Sequence, residues 1–126
     1  MGLRFHQRAK SFRHAIHGIW LVVKTQPNAW IHLVATACAV ALGFFCGLNR
    51  WEWCAIIFAI ALVWVTEALN TAIEFLGDEI TSERCEGIGR AKDVGAGAVL
   101  LAAIASVIIG AIIFVPHLLA LWERQS

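Results

Sequence analysis

A chain of 126 residues that is 60% hydrophobic, with a mean hydropathy of +0.72, is not an ordinary soluble domain. A formal net charge of +1 singles out no charged partner, and no nucleic acid is expected. Three apolar runs, about 29–48, 53–76 and 94–115, each approach the ~20 residues a helix needs to cross the hydrocarbon core. The predicted architecture is a single all-α membrane domain, with one surface helix followed by three transmembrane helices.

Residues 5–24 differ from the rest. Phe5, Ala9, Phe12, Ile16, Ile19 and Val23 recur at intervals of four and three, while Arg4, Arg8, Arg13, His14, His17 and Lys24 fill the other faces. A basic amphipathic helix of this kind lies in the headgroup plane. Gln26-Pro27-Asn28 should break it, because proline cannot continue a helix. The first span follows, with His32 just inside as an interfacial hydrogen-bonder. Gly47-Leu48-Asn49-Arg50 makes a turn so short that the first two spans form an antiparallel hairpin.

The second span carries the most informative pattern. Residues 53–66 hold no charge, and then Glu67, Asn70, Thr71 and Glu74 follow at helical spacing, on one face. Glu67 and Glu74 are two turns, roughly 10 Å, apart. An acid in a membrane helix costs at least a few kcal/mol, so such groups mark functional sites. The segment 77–93 is the one long polar stretch, read as a solvated loop that extends this acidic face up to Lys92 and Asp93. In the third span Ala98, Ala102, Ser106 and Gly110 recur every fourth residue, a small-residue stripe suited to close helix packing, part of it between subunits. Pro116 should end that helix.

Lys and Arg set the orientation. Arg4, Arg8, Lys10, Arg13, Lys24, Arg84, Arg90 and Lys92 lie on one side, against Arg50 and Arg124 on the other. The N-terminus and the 78–92 segment are expected in the cytoplasm of a multi-pass membrane protein, and no small-residue cleavage pattern marks a removable signal peptide. The cysteines at 38, 46, 54 and 85 form no CxxC pair and read as apolar filler. Trp20, Trp30, Trp51, Trp53 and Trp122 sit near span ends, as interfacial anchors do.

These parts suit phosphoryl transfer. Glu67, deep and flanked by apolar residues, fits general-base work on an alcohol. Glu74, nearer the cytoplasm, can hold a divalent cation through oxygen. Lys92 can neutralise phosphate, and Asp93 can orient it or hydrogen-bond a nucleotide. A lipid-facing enzyme, a small oligomeric proton-coupled transporter with Glu67 as its proton site, and a packing subunit all remain open on spacing alone. No P-loop is present, and Gly87-Ile88-Gly89 is too short for a dinucleotide fingerprint.

The stretch Glu67-Ala-Leu-Asn70-Thr71-Ala-Ile-Glu74, then Asp78, then Gly89-Arg90-Ala91-Lys92-Asp93-Val-Gly-Ala96-Gly-Ala98-Val99, closely resembles the signature of the prokaryotic diacylglycerol kinase family, which includes undecaprenol kinases. The resemblance covers nearly the whole chain. It implies a homotrimeric integral membrane kinase that moves the γ-phosphate of Mg-ATP onto a membrane lipid alcohol, diacylglycerol or undecaprenol, in phospholipid or lipid-carrier recycling. It implies Glu67 as catalytic base, Asn70 beside it in the reacting centre, Glu74 as ligand of the nucleotide's Mg²⁺, and Lys92 and Asp93 as phosphate and nucleotide contacts.

Departures from the diacylglycerol branch are specific. Gln26 stands where that branch has a second metal-binding Glu, so an amide oxygen replaces a carboxylate as the expected metal and nucleotide contact. His14 replaces an aromatic nucleotide contact, and Cys85 replaces a loop His. Ser11-Phe12, Ala15, Gly18, Asn28 and His32 resemble the undecaprenol branch instead. The resemblance implies a lipid site at Ser11, Ala15, Asn28 and Ala96 around Glu67. A transporter would need no Lys-Asp pair at a helix start.

Overall fold

The computed structural model describes residues 2–126. It contains four helices: α1 (Gly2–Thr25), α2 (Ala29–Cys46), α3 (Arg50–Ile80) and α4 (Glu86–Glu123). The last three are each long and apolar enough to cross a membrane, and the all-helical architecture expected from the sequence is the one observed.

Helix boundaries follow local chemistry. α1 stops ahead of Pro27, and the Ala29 N–H bonds the Gln26 carbonyl across the break at 3.1 Å. α2 ends at Gly47, whose φ of +65° is left-handed and suits a residue without Cβ. The Leu48 N–H returns to the Gly43 carbonyl at 3.2 Å, and the buried Leu48 side chain joins the core. α3 starts with a reciprocal capping box. Asn49 Oδ1 accepts from the N–H groups of Trp51 at 2.9 Å and Glu52 at 3.0 Å, while Glu52 Oε2 accepts from the Asn49 N–H at 3.0 Å.

Two expectations are corrected. The polar 77–93 segment is mostly helix, because α3 continues to Ile80 and α4 begins at Glu86, leaving 81–85 as the connection. Charged residues past the apolar run extend a helix readily once they can reach water. Pro116 does not end α4, which runs through it to Glu123. The ring removes a single N–H, and the Leu-rich turn after it continues the helix.

The α3–α4 pair is the most extensive packing in the chain, and α1 touches both α2 and α3. Val22 is buried where α1 turns into α2, whereas Phe5, Phe12, Ile16 and Ile19 of the predicted apolar stripe are exposed on the single chain. The apolar core lies at the end nearest the 47–49 turn: Leu48, Ile56, Ile113 and Phe114, with Leu42 and Trp53 against them. Trp53 covers Gly43 so closely that a Cβ there would meet its ring at 2.6 Å. Further along, Ser106 Oγ donates to the Ala59 carbonyl at 3.0 Å, tying α4 to α3 at buried Ala59 and Ala102.

The small-residue stripe on α4 is thus divided. Ala102 and Ser106 pack within the chain, Ala98 is exposed, and Gly110 borders an apolar groove of about 330 Å³ between α2, α3 and α4. The apolar core occupies one end of the bundle, where Glu52 of α3 also meets His117 of α4 at 3.1 Å, and the fully buried polar side chains lie toward the other.

Candidate active site

Glu67, Asn70 and Thr71 are the buried polar side chains of the described residues, and all three belong to α3. Their face points toward α2 and α4. Thr71 Oγ1 donates to the Glu67 carbonyl at 2.8 Å, satisfying its hydroxyl inside the helix. Glu67 is 2% exposed, a position where an unpaired carboxylate would cost several kcal/mol. Its Oε2 lies 3.2 Å from His32 Nε2 on α2. The interfacial hydrogen-bonder expected at His32 therefore has a particular partner, the buried acid.

One turn before Glu67 on α3, Trp64 Nε1 donates to Thr36 Oγ1 at 3.0 Å, and Thr36 Oγ1 donates to the His32 carbonyl at 2.7 Å. The rings of His32 and Trp64 meet edge to face, with centroids 6.0 Å apart. His32 and Thr36 also border the apolar groove, which therefore begins beside the acid.

Asn70 is held by the absence of a side chain opposite it. A Cβ on Gly95 of α4 would sit 2.5 Å from Asn70 Oδ1. Asn70 Oδ1 is also the buried side-chain atom, among those described, that has no hydrogen-bond partner. Buried acceptors are normally satisfied; this oxygen instead packs against Gly95 of α4, in the seam between the two helices. One and two turns on, Glu74 is half-buried and Asp78 exposed on the continuing α3. Among the described residues Glu74 has no ion-pair partner, whereas Asp78 Oδ1 accepts from Lys92 Nζ of α4 at 2.6 Å. Gly77 lets the lysine stem cross α3, since a Cβ there would lie 3.1 Å from Lys92 Cε and 2.9 Å from Ile88 Cγ2.

The Lys92 ammonium has three donors. It can keep Asp78 and still reach a phosphate oxygen. Asp78, Arg84, Cys85, Gly89 and Lys92 border an open hollow of about 510 Å³ around the 81–85 connection.

The structure thus brings Glu67, Asn70, Glu74 and Lys92 to one end of the α3–α4 seam. Ser11, His14, Ala15, Asn28, Asp93 and Ala96 are exposed on the single chain, and Gln26 is half-buried at the α1–α2 break. Gln26 Nε2 donates to Thr25 Oγ1 at 3.3 Å, and Ser11 Oγ donates to the Gln7 carbonyl at 3.1 Å. Among the described residues no group of three or more His, Cys, Asp or Glu side chains is poised around a metal position. Mg²⁺ commonly takes one or two carboxylates plus phosphate oxygens and water, and the half-buried Glu74 carboxylate suits that mode. Sequence reasoning missed three partners: His32 for Glu67, Asp78 for Lys92 and Gly95 for Asn70. Asp78 could have been found, because it lies one turn beyond Glu74 on the same face.

A bundle of three apolar helices with a buried carboxylate and a Lys–Asp pair at one end defines an integral membrane protein with a polar site at the edge of its apolar zone. The chain matches the family model described as prokaryotic diacylglycerol kinase over residues 13–114. It is 44% identical over 110 residues to the undecaprenol kinase of Bacillus subtilis (strain 168), covering 86% of this chain and 89% of that protein. It is 36% identical to a diacylglycerol kinase of Synechocystis, covering 88% of this chain and 64% of that protein. A diacylglycerol kinase of Haemophilus influenzae is 35% identical, with 82% of this chain and 89% of that protein covered. The chain belongs to the prokaryotic diacylglycerol kinase family, a family of lipid kinases.

Proposed function

We propose that the protein transfers the γ-phosphate of ATP, bound as its Mg²⁺ complex, to the hydroxyl of a membrane lipid alcohol, with a polyprenol such as undecaprenol as the preferred acceptor. The observation that carries this reading is Glu67, a carboxylate 2% exposed on a membrane-length helix, where an acceptor dissolved in the bilayer can reach it. The polyprenol assignment is supported by the 44% identity to an undecaprenol kinase, against 36% and 35% for the two diacylglycerol kinases.

In this mechanism Glu67 takes the proton of the lipid hydroxyl. The freed oxygen attacks the γ-phosphorus as the bond from that phosphorus to the β-phosphate oxygen breaks, and ADP leaves. Asn70, one turn from Glu67 on the same face of α3, helps to orient the reacting groups. Lys92, steadied by Asp78, meets the phosphate charge, and Asp93 and His14 contact the nucleotide. Glu74, with Gln26 as a neutral second ligand, would hold Mg²⁺, which offsets negative charge on the transferring phosphate. Ser11, Ala15, Asn28 and Ala96 surround the lipid headgroup, and the apolar groove that starts at His32 offers room for its tail.

The basic end of the bundle faces the cytoplasm, where ATP is found, in the bacterial inner membrane. The working unit is a homotrimer, as the family resemblance implies. A proton-coupled transporter using Glu67 is disfavoured by membership of a kinase family.

Labelled [γ-³²P]ATP incubated with the purified protein and equal amounts of polyprenol and diacylglycerol in detergent micelles tests the reading. Labelled polyprenyl phosphate is the expected main product. Labelled phosphatidic acid alone would move the assignment to diacylglycerol, and no labelled lipid at all would refute the kinase reading.

A further inference from the structure

We propose that His32 is a positioning residue for the Glu67 carboxylate, fixing one carboxylate oxygen so that the other is presented to the lipid hydroxyl. The inference rests on the kinase reading above and deepens it. His32 Nε2 lies 3.2 Å from Glu67 Oε2, and the two groups are 13% and 2% exposed. An ionised carboxylate is purely an acceptor, so the ring donates from Nε2. Among the described residues Glu67 Oε1 has no partner, which leaves it free to take a proton.

The imidazole is itself braced from α3. Trp64 is one turn before Glu67 on the same helix face, sits edge to face with the His32 ring, and holds the His32 backbone carbonyl through Thr36. A base carried on a flexible two-carbon stem is thereby given one orientation by a second helix. The alternative is that His32 merely satisfies a buried charge. It would then matter for stability but not for the chemical step.

The test compares His32→Leu, His32→Gln and His32→Asn in the full-length protein in detergent micelles. Lipid phosphorylation is measured over ranges of Mg-ATP and polyprenol, alongside the apparent melting temperature and particle size. Gln places an amide donor close to the Nε2 position, and Asn is one methylene too short. His32→Leu should lower kcat by about 10- to 100-fold, the scale on which misplacing a reacting group acts. The Mg-ATP KM should stay within about twofold, because no nucleotide contact is touched, and the fall in kcat should exceed any rise in the lipid KM, since His32 also borders the groove proposed for the lipid tail. His32→Gln should restore most of kcat, and His32→Asn should not. The Gln–Asn contrast stands even if the Leu variant does not fold.

Wild-type kcat in His32→Leu, equal loss in Gln and Asn, or a raised lipid KM at unchanged kcat would each overturn the inference while leaving the kinase reading intact. A wild-type protein that labels no lipid alcohol would overturn both.

Discussion

Gly95→Ala is the most direct probe of how α4 positions the reacting centre. The added Cβ would lie 2.5 Å from Asn70 Oδ1, 3.3 Å from Ile73 Cδ1 and 3.4 Å from Asn70 Cγ. An ordinary carbon–oxygen contact is roughly 3.2–3.4 Å, so the overlap is ~0.8 Å, and overpacking of that order costs about 1–3 kcal/mol. Replacing a mid-helix glycine by alanine returns roughly 0.5–1 kcal/mol. The net effect is a loss of up to about 2.5 kcal/mol, relieved by turning Asn70 or by parting the two helices. Either response moves Asn70 away from the acceptor, so kcat should fall by about 10-fold or more. Gly97→Ala is the control, since nothing lies within 4 Å of its Cβ, and it should keep full activity with equal or better stability. The measurements are initial rates of lipid phosphorylation at saturating ATP and lipid, and thermal unfolding in the same detergent. Asn70→Ala in the Gly95→Ala background should recover stability but not turnover. A Gly95→Ala protein with wild-type rate and melting temperature would refute the close α3–α4 approach at this level.

Three further outcomes follow from the same geometry. Glu67→Gln keeps the shape and removes the base, so purified protein should fold normally and turn over about 10²-fold more slowly; a near wild-type rate would remove Glu67 from the chemical step. Glu74→Ala should raise the Mg²⁺ concentration needed for half-maximal rate as well as lowering turnover, because it removes a half-buried carboxylate that pairs with no cation among the described residues; a change confined to the lipid KM would assign Glu74 to the lipid site. Gly110→Leu projects into the apolar groove, where Phe114 at 4.0 Å is the nearest atom to its Cβ, so the chain should fold. If the groove carries the lipid tail, KM for a long polyprenol should rise more than KM for a short-chain alcohol, and an equal response to both would argue against that path.

The three apolar runs, the break at Pro27 and the turn at Gly47–Arg50 were legible in the sequence because each rests on a local cause. Hydrocarbon thickness sets the length of an apolar run, a missing N–H stops α1, and glycine and asparagine supply the left-handed cap and the capping box. The acidic face of α3 was equally legible, since helical periodicity alone puts Glu67, Asn70 and Glu74 in line. Local signals misjudged where helices end. Charge made 77–93 look like a loop, and Pro116 looked like a stop, yet α3 and α4 continue through both regions. The partners lay beyond any local rule. Glu67 meets His32 from 35 positions away, and Lys92 meets Asp78 from 14. Gly95 carries no local signal of its role, and only the packing of α4 on α3 sets Asn70 opposite it. Periodicity fixes which face of a helix a residue occupies, but which faces meet, and at what height, depends on packing between helices, where the fit of Trp53 over Gly43 and Asn70 against Gly95 sets the register.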